Sequence, residues 1–403
     1  MCLGCFLLAY ILVLLCASPL LLQESPQESH LRRGEVLQPM VNNVRNLPHN
    51  VPVIAGRLKQ GFRQMKSETD LHLMDKAKEA LEKFKQNQVA ESDAAKKDIV
   101  PTEKEAGDRK GFVVLGMHRS GTSMLSGILV TGMGYNVGGP LIGSAADNEK
   151  GFFELLDAVL QNDEFMNLQR VWWSANMMAY DNEKAATAMK SGAATFAHGR
   201  KALAFLNGPD NAPWLQKDPR MCITLKTWLP LLNSEPAVLW TYRHPMEVAH
   251  SLMHREKGIT LSHGLRLWIV YNMLGLKNSA DLCRVYSSND AVLADPLGEV
   301  QRLSSELTSK CGVPAPPDVL TEEKVSLFVD TSLQHNKKKA NQSETVVAEH
   351  GDCKVYDFVT DTAEGSPEYD LERTLYLLAM KLFCDMESGA AYKPDFTEWP
   401  QLP

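Results

Sequence analysis

The chain has 403 residues, with 42 Lys and Arg against 49 Asp and Glu, a formal net charge of −7. That balance excludes a general nucleic-acid binder, whose footprint is a basic excess. The length suits one large α/β domain with appendages or two modest domains, and the 44% hydrophobic content is ordinary for a globular protein.

Cys2 to Leu22 is apolar without a charged side chain, about the length that spans a bilayer as a helix. It reads as a retained signal anchor over residues 1–22. The alternative is a cleaved signal peptide, with Cys16 and Ser18 flanking Ala17 at a small-residue cleavage site. Either reading sends the rest of the chain into the secretory pathway. Residues 23–110 read as a stem, partly helical or disordered. Leu71, Leu73, Met74, Ala77, Leu81 and Phe84 form a narrow helical stripe there, which suits a solvated spacer or a self-associating helix.

The body begins at Phe112. Phe112 to Leu115 is a β-branched apolar run, followed by a turn bounded by Gly116 and Gly121. Met124, Leu125, Ile128 and Leu129 then recur at helical spacing until Gly132 and Gly134 stop them. Strand, glycine loop and helix start form a phosphate cradle, in which loop N–H groups and the helix N-terminus converge on an anion. Gly116 and Gly121 have the Walker A spacing, but Thr122 stands where its lysine belongs, and the loop's cation is Arg119.

Further along, a helix is expected from Gly151 through Phe165, and Val171 to Asn211, with Trp172 and Trp173, as a cap or acceptor wall. Trp214 to Arg220 reads as a short strand ending in a charged turn, and Ala237 to Tyr242 as a strand leading into a helix through Glu256. Another helix is expected over Gly264 to Asp281, with a strand near Arg284 to Tyr286. Strands alternating with helices predict a parallel α/β sheet of the three-layer P-loop type over residues 111–339, flanked by helices. Residues 340–403 read as a polar linker and an amphipathic helix opened by Ser366 and Pro367. Outside the apolar N-terminus remain Cys222, Cys283, Cys311, Cys353 and Cys384. Five cannot all pair internally, and none has zinc-ligand spacing. Asn341 opens one glycosylation sequon.

A second constellation follows the strand at 237–242. The strand delivers Arg243 to its carboxyl end, where ligands bind in open α/β sheets. Pro245 opens the next helix, and Ser251 lies about two turns along it. An arginine fork and a nearby hydroxyl together grip a phosphate, so the two constellations describe a ligand with two separated phosphates.

The motifs Arg119-Ser-Gly-Thr-Ser123 and Arg243 to Ser251, eight residues apart, resemble the 5′- and 3′-phosphate-binding elements of sulfotransferases that use 3′-phosphoadenosine 5′-phosphosulfate (PAPS). With Lys217-Asp-Pro-Arg220, Leu293-Ala-Asp-Pro296 and the segment from Phe328 to His335, the wording is similar to the broad microbial-type branch over about Gly111 to Lys339. The resemblance implies a PAPS co-substrate held by Arg119, Ser120, Gly121, Thr122, Ser123, Arg243 and Ser251. It also implies metal-independent in-line transfer to a hydroxyl or amine.

Such transfer needs a base and positive charge on the departing bridge. Arg119 is the candidate for that charge. Glu154 is the candidate base, followed by Glu149 and then Asp218. His118 is expected to pack the loop, His244, His250 and His254 to lie at the surface, and Lys337 to Lys339 to be a solvated run. The secretory address suggests a Golgi or related membrane, a lumenal body and a glycan acceptor on which Trp172, Trp173 or Trp214 would stack. Lipids, steroids and tyrosyl peptides stay open. The rival readings are a P-loop kinase or NTPase, disfavoured by Thr122, and an anchored binding protein without catalysis. No D-x-D pair supports a glycosyltransferase.

Overall fold

A computed structural model describes residues 109–144, 148, 150–329, 342–358 and 360–403. The expected anchor, the stem up to residue 108, Glu149, Lys337 to Lys339 and the Asn341 sequon lie outside the described residues. Among the described residues no helix is long and apolar enough to cross a membrane.

In chain order the elements begin with β1 (Gly111–Leu115), α1 (Thr122–Gly127, continued by a π-helical turn over Ile128–Gly132), α2 (Leu156–Leu168), α3 (Asn182–Lys190), α4 (Ala197–Leu206), β2 (Trp214–Lys217) and α5 (Met221–Trp228). They continue with β3 (Ala237–Tyr242), α6 (Pro245–Arg255), α7 (Leu261–Asn278), β4 (Arg284–Ser288), α8 (Asn289–Ala294), α9 (Pro296–Ser309) and α10 (Glu322–Ser326). The hairpin β5 (Gln342–His350) and β6 (Cys353–Phe358) and the helix α11 (Pro367–Glu387) complete the order.

β1 to β4 form one parallel sheet in the order β2-β1-β3-β4. Every residue of β1 and β3 is buried, because a parallel sheet is covered on both faces and its strands therefore read as continuous apolar runs. Side-chain alternation divides them between two cores. Phe112 and Val114 pack with Leu125, Leu129, Leu303 and Leu307 on one face; Val113 and Leu115 pack with Trp240, Leu265, Trp268 and Leu375 on the other. The result is three layers, helices on either side of the sheet. The sheet brings the carboxyl ends of β1, β2 and β3 together at one edge.

Two elements differ from the expected ones near this edge. No helix opens at Gly151, because Gly151 (φ +96) and Phe153 (φ +55) have left-handed backbones that a right-handed helix excludes. Glu154 O instead accepts from Ile142 N (2.9 Å) and Leu156 N donates to Pro140 O (2.9 Å), and α2 starts only at Leu156. Glu154 therefore sits in a bridged turn, outside any helix. α7 starts at Leu261, three residues earlier than expected, because Thr260 caps it by accepting from His263 N.

The hairpin is absent from the sequence reading of 340–403. Val355 and Phe358 are buried, the Phe358 ring lies 5.3 Å from that of Tyr376 on α11, and Cys353 is disulfide-bonded to Cys384. A second disulfide joins Cys283 to Cys311. Cys222 is the odd cysteine, free and buried, its thiol pushed up to about 12 by that burial.

Severing the Cys353–Cys384 bond, which closes a loop of 31 residues, removes about 3–4 kcal/mol by the chain-entropy relation. Urea unfolding of the Cys353→Ser, Cys384→Ser double variant should show that loss. An unchanged midpoint would mean that the bond contributes nothing to holding the hairpin on α11.

Candidate active site

The glycine loop is built by close approach. A Cβ on Gly116 would lie 2.3 Å from Thr241 O of β3, and one on Gly121 would lie 2.1 Å from Asn289 Oδ1. Gly121 also takes φ +84, a conformation that costs glycine nothing. Ser120 N donates back to Met117 O (3.1 Å), and Gly121 O accepts from Leu125 N (3.0 Å) to start α1. No side chain caps α1 at Gly121. Thr122 is buried, and Ser120 Oγ is buried without a hydrogen-bond partner among the described residues.

The second motif meets this loop directly. Arg119, itself left-handed at φ +70, donates from Nε to Ser251 Oγ at 2.9 Å. Arg243 Nη1 donates to Arg119 O at 3.4 Å. Arg243 stands just past the end of β3, where α7 fixes its backbone through Trp268 Nε1 to Arg243 O (2.9 Å). Its own Nε is engaged by Glu247 Oε2, one turn along α6, at 2.7 Å. Side chains more than 120 positions apart thus share one small volume beside the ends of β1 and β3.

Lys217, the last residue of β2, is paired in register with Val114 of β1 and so points its ammonium into the same edge. Lys217 Nζ lies 2.5 Å from Glu154 Oε1 and 3.1 Å from Ser123 Oγ. Only 1% of the Lys217 side chain and 7% of the Glu154 side chain are exposed. Burial pushes the Glu154 carboxyl above its ordinary range; Lys217 opposes this, Asp218 reinforces it and Arg220 opposes it. Arg220 Nη1 is 3.0 Å from Asp218 Oδ1 and 4.0 Å from Glu154 Oε2, and Arg220 Nε is 2.7 Å from Asp163 Oδ1.

Both oxygens of Asp218 are engaged. Oδ2 accepts from Asn162 Nδ2 (2.8 Å), while Oδ1 accepts from Arg220 through Nη1 and the backbone N. Asn162 Oδ1 is held in turn by Thr224 Oγ1 and Trp228 Nε1, both at 2.7 Å. Lys217, Arg220, Asn162 and Asp163 had no site role in the sequence reading. The signal for Lys217 and Arg220 is the charged Lys-Asp-Pro-Arg turn; Asn162 and Asp163 of α2 carry none.

Aromatic rings cover this network. The His118 ring lies 5.1 Å from Trp173 and 5.4 Å from Tyr271. Burial holds its imidazole neutral, reinforced by Arg220, Arg255, Lys217 and Arg119, so it packs the loop. Tyr271 donates to Trp173 O (2.7 Å) and His263 Nε2 pairs with Ser174 O (2.8 Å), fixing that segment onto α7. Trp172 is 49% exposed beside it, whereas Trp214 is 1% exposed in the core and offers no face to a sugar. His244 packs on Phe383 at 5.4 Å, His250 is half-buried and His254 is exposed.

Chemically, the edge offers a desolvated carboxyl, an ammonium within hydrogen-bond reach of it, and two arginines next to a glycine loop. In Lys217→Met the Glu154 carboxylate loses its nearest cation, which costs about 3–5 kcal/mol of stability. The folded Glu154 already holds its proton above the unfolded range, so stability falls as pH rises through that window. Removing Lys217 widens the window upward. Chemical denaturation at pH 5 and pH 8 should therefore find the larger deficit at pH 8; equal deficits would contradict the pairing.

No protein-family profile matches the chain, and no curated protein matches it. Among solved structures it is similar to the sulfotransferase domain of the Synechococcus PCC 7002 olefin synthase, at 14% identity and a TM-score of 0.31, covering 60% of this chain and 87% of that one. It is also similar to the sulfotransferase STF1 of Mycobacterium tuberculosis H37Rv, at 15% identity and a TM-score of 0.34, covering 59% and 75%. At such low TM-scores the likeness adds nothing to what the chain's own geometry carries.

Proposed function

We propose that the chain is a sulfotransferase that moves the sulfuryl group of PAPS to a hydroxyl, or an amine, of a secretory-pathway acceptor. The observation that carries this reading is the convergence of the glycine loop and the Arg243–Ser251 element beside the buried Lys217–Glu154 pair. The residues present fit a nucleotide with 5′- and 3′-phosphates. Gly116 and Gly121 let the loop close tightly against Thr241 and Asn289, and Ser120 Oγ is a buried hydroxyl without a hydrogen-bond partner among the described residues. Ser120, Gly121, Thr122 and Ser123 would hold the 5′ end with Arg119. Arg243 and Ser251 would hold the 3′-phosphate, exchanging their bonds to Glu247 and Arg119.

Bound PAPS supplies the sulfuryl group and a phosphate leaving group. Glu154 accepts the acceptor proton as the new O–S bond forms and the S–O bond to phosphate breaks, and Lys217 and Arg119 neutralise charge on the departing oxygen. Asp218, with both oxygens engaged and no exposure, is better placed to support Glu154 than to act as the base. Two disulfides support an oxidising compartment, in keeping with a Golgi or other secretory-pathway membrane reached through the apolar N-terminus. Among the described residues half-exposed Trp172 offers the most open tryptophan face to a glycan acceptor, with Trp173 partly buried beside it.

One contact favours a second reading. Lys217 Nζ at 3.1 Å from Ser123 Oγ brings an ammonium to the loop that lacks the Walker lysine at Thr122, as a phosphate-transferring enzyme would require.

Incubation of the full chain with sulfur-labelled PAPS and a panel of glycans, sterols, lipids and tyrosyl peptides tests the proposal. Label should reach at least one acceptor, and Glu154→Gln should slow transfer by about 10²–10⁴-fold. In the wild type, kcat/KM should rise with pH above the ordinary glutamate value of 4.5, because only the carboxylate accepts a proton. Undiminished transfer by Glu154→Gln would remove it as the base. Magnesium-dependent transfer of the ATP γ-phosphate, with none from PAPS, would install the second reading.

A further inference from the structure

The Lys-Asp-Pro-Arg turn does more than end β2. Two of its charged side chains, Lys217 and Arg220, face the Glu154 carboxyl, and the third, Asp218, holds Arg220. Lys217 touches one oxygen at 2.5 Å, and Arg220 Nη1 lies 4.0 Å from the other. That same Arg220 nitrogen is 3.0 Å from Asp218 Oδ1, so one guanidinium N–H group stands between two carboxylates. Asp218 is fully buried and tied down by Asn162, which is locked by Thr224 and Trp228. Arg220 is anchored on its far side by Asp163 of α2. Neither group is free to move away from Glu154.

The charges facing Glu154 come from every neighbouring element: Lys217 from β2, Asp218 and Arg220 from the turn into α5, and Asp163 of α2 through Arg220. The glycine loop adds the cation Arg119, bonded to Ser251, and His118, held neutral, and α1 adds the Ser123 hydroxyl through Lys217. Two cations, Lys217 and Arg220, thus stand among three carboxylates, of which Glu154 and Asp218 are buried and Asp163 is partly exposed. Burial disfavours a carboxylate and favours keeping its proton, and among the described residues Glu154 Oε2 faces only Arg220 Nη1, at 4.0 Å.

We propose that Asp218 and Arg220 are positioning residues that act on Glu154 in opposite senses, Arg220 through its guanidinium beside the second Glu154 oxygen and Asp218 by holding that same nitrogen to itself. The turn would thereby set the pH at which the base is available, with Asn162 and Asp163 holding the two opposing charges in place. This inference rests on the reading of Glu154 as the base, but its physical content, the charge state of one carboxyl, is measurable without any substrate.

The experiment is a pH titration of the full chain in detergent, labelled with carbon-13 at glutamate side-chain carboxyls, the Glu154 resonance being assigned by its loss in Glu154→Gln. Asp218→Asn, isosteric and neutral, should lower the Glu154 midpoint by about one unit or more, and Arg220→Gln should raise it by a similar amount. Arg220→Lys, which keeps the charge, should return the midpoint toward wild type, a rescue that a purely structural role would not produce. Where PAPS transfer is measurable, the acidic limb of kcat/KM should move with the midpoint in each variant. Midpoints that stay fixed, or that move in the same direction in Asp218→Asn and Arg220→Gln, overturn the proposal. If Arg220→Gln does not fold, Asp218→Asn decides by sign, since an upward shift or none overturns it. Opposite midpoint shifts in a protein that transfers nothing from PAPS would sustain this inference and sink the sulfotransferase reading.

Discussion

The interaction on which the site depends is the ion pair between Lys217 and Glu154, nearly sealed from water. Taking two charges out of solvent costs several kcal/mol per ion, and their attraction offsets this only when the remaining donors and acceptors are satisfied. The surroundings meet that condition in part: Ser123 accepts a second bond from the ammonium, while Arg220 stands 4.0 Å from the second carboxylate oxygen, beyond hydrogen-bond reach. The backbone before Glu154 passes through left-handed positions at Gly151 and Phe153, and the Glu154 side chain that follows them is buried.

The elements proposed to hold the nucleotide follow the same logic of occupied partners. Arg243 is held by Glu247, Arg119 by Ser251, and Arg220 by Asp163 and Asp218. Each guanidinium is thus positioned by the protein before any phosphate arrives, and preorganisation of this kind reduces the ordering cost of binding. The charges are also paired to different degrees. Arg243 has one carboxylate, exchangeable against a phosphate, whereas Arg220 sits among three and is held permanently cationic by them despite its burial. Arg243 accordingly suits ligand exchange, and Arg220 suits a fixed role behind Glu154.

Legibility in the sequence follows the range of the contacts. β1, the glycine loop and the start of α1 were readable because an apolar run, two glycines and a helical period lie within twenty residues. Ser366 and Pro367 announced α11 for the same reason, and Ser366 does cap it by accepting from Tyr369 N. Arg243 and Ser251 share a helix start, so their spacing was informative too. The Lys217–Glu154 pair joins residues 63 positions apart and the Arg119–Ser251 bond spans 132; no local pattern encodes such contacts. The start of α2 is not legible in the sequence because Phe153 adopts φ +55, a conformation without a glycine to mark it. The β5–β6 hairpin was hidden because its inward residues, Val355 and Phe358, are few and its other positions polar.

The central claim is that two phosphate-binding elements meet at one site beside the Lys217–Glu154 pair. Calorimetric titration of the full chain in detergent with 3′-phosphoadenosine 5′-phosphate, with and without EDTA and alongside Arg243→Ala, tests it most directly. The account predicts saturable binding that is indifferent to EDTA and weakened at least tenfold in the variant, a loss of about 1.4 kcal/mol or more. Binding of magnesium ATP in place of the bisphosphate, or bisphosphate binding untouched by Arg243→Ala, would contradict it.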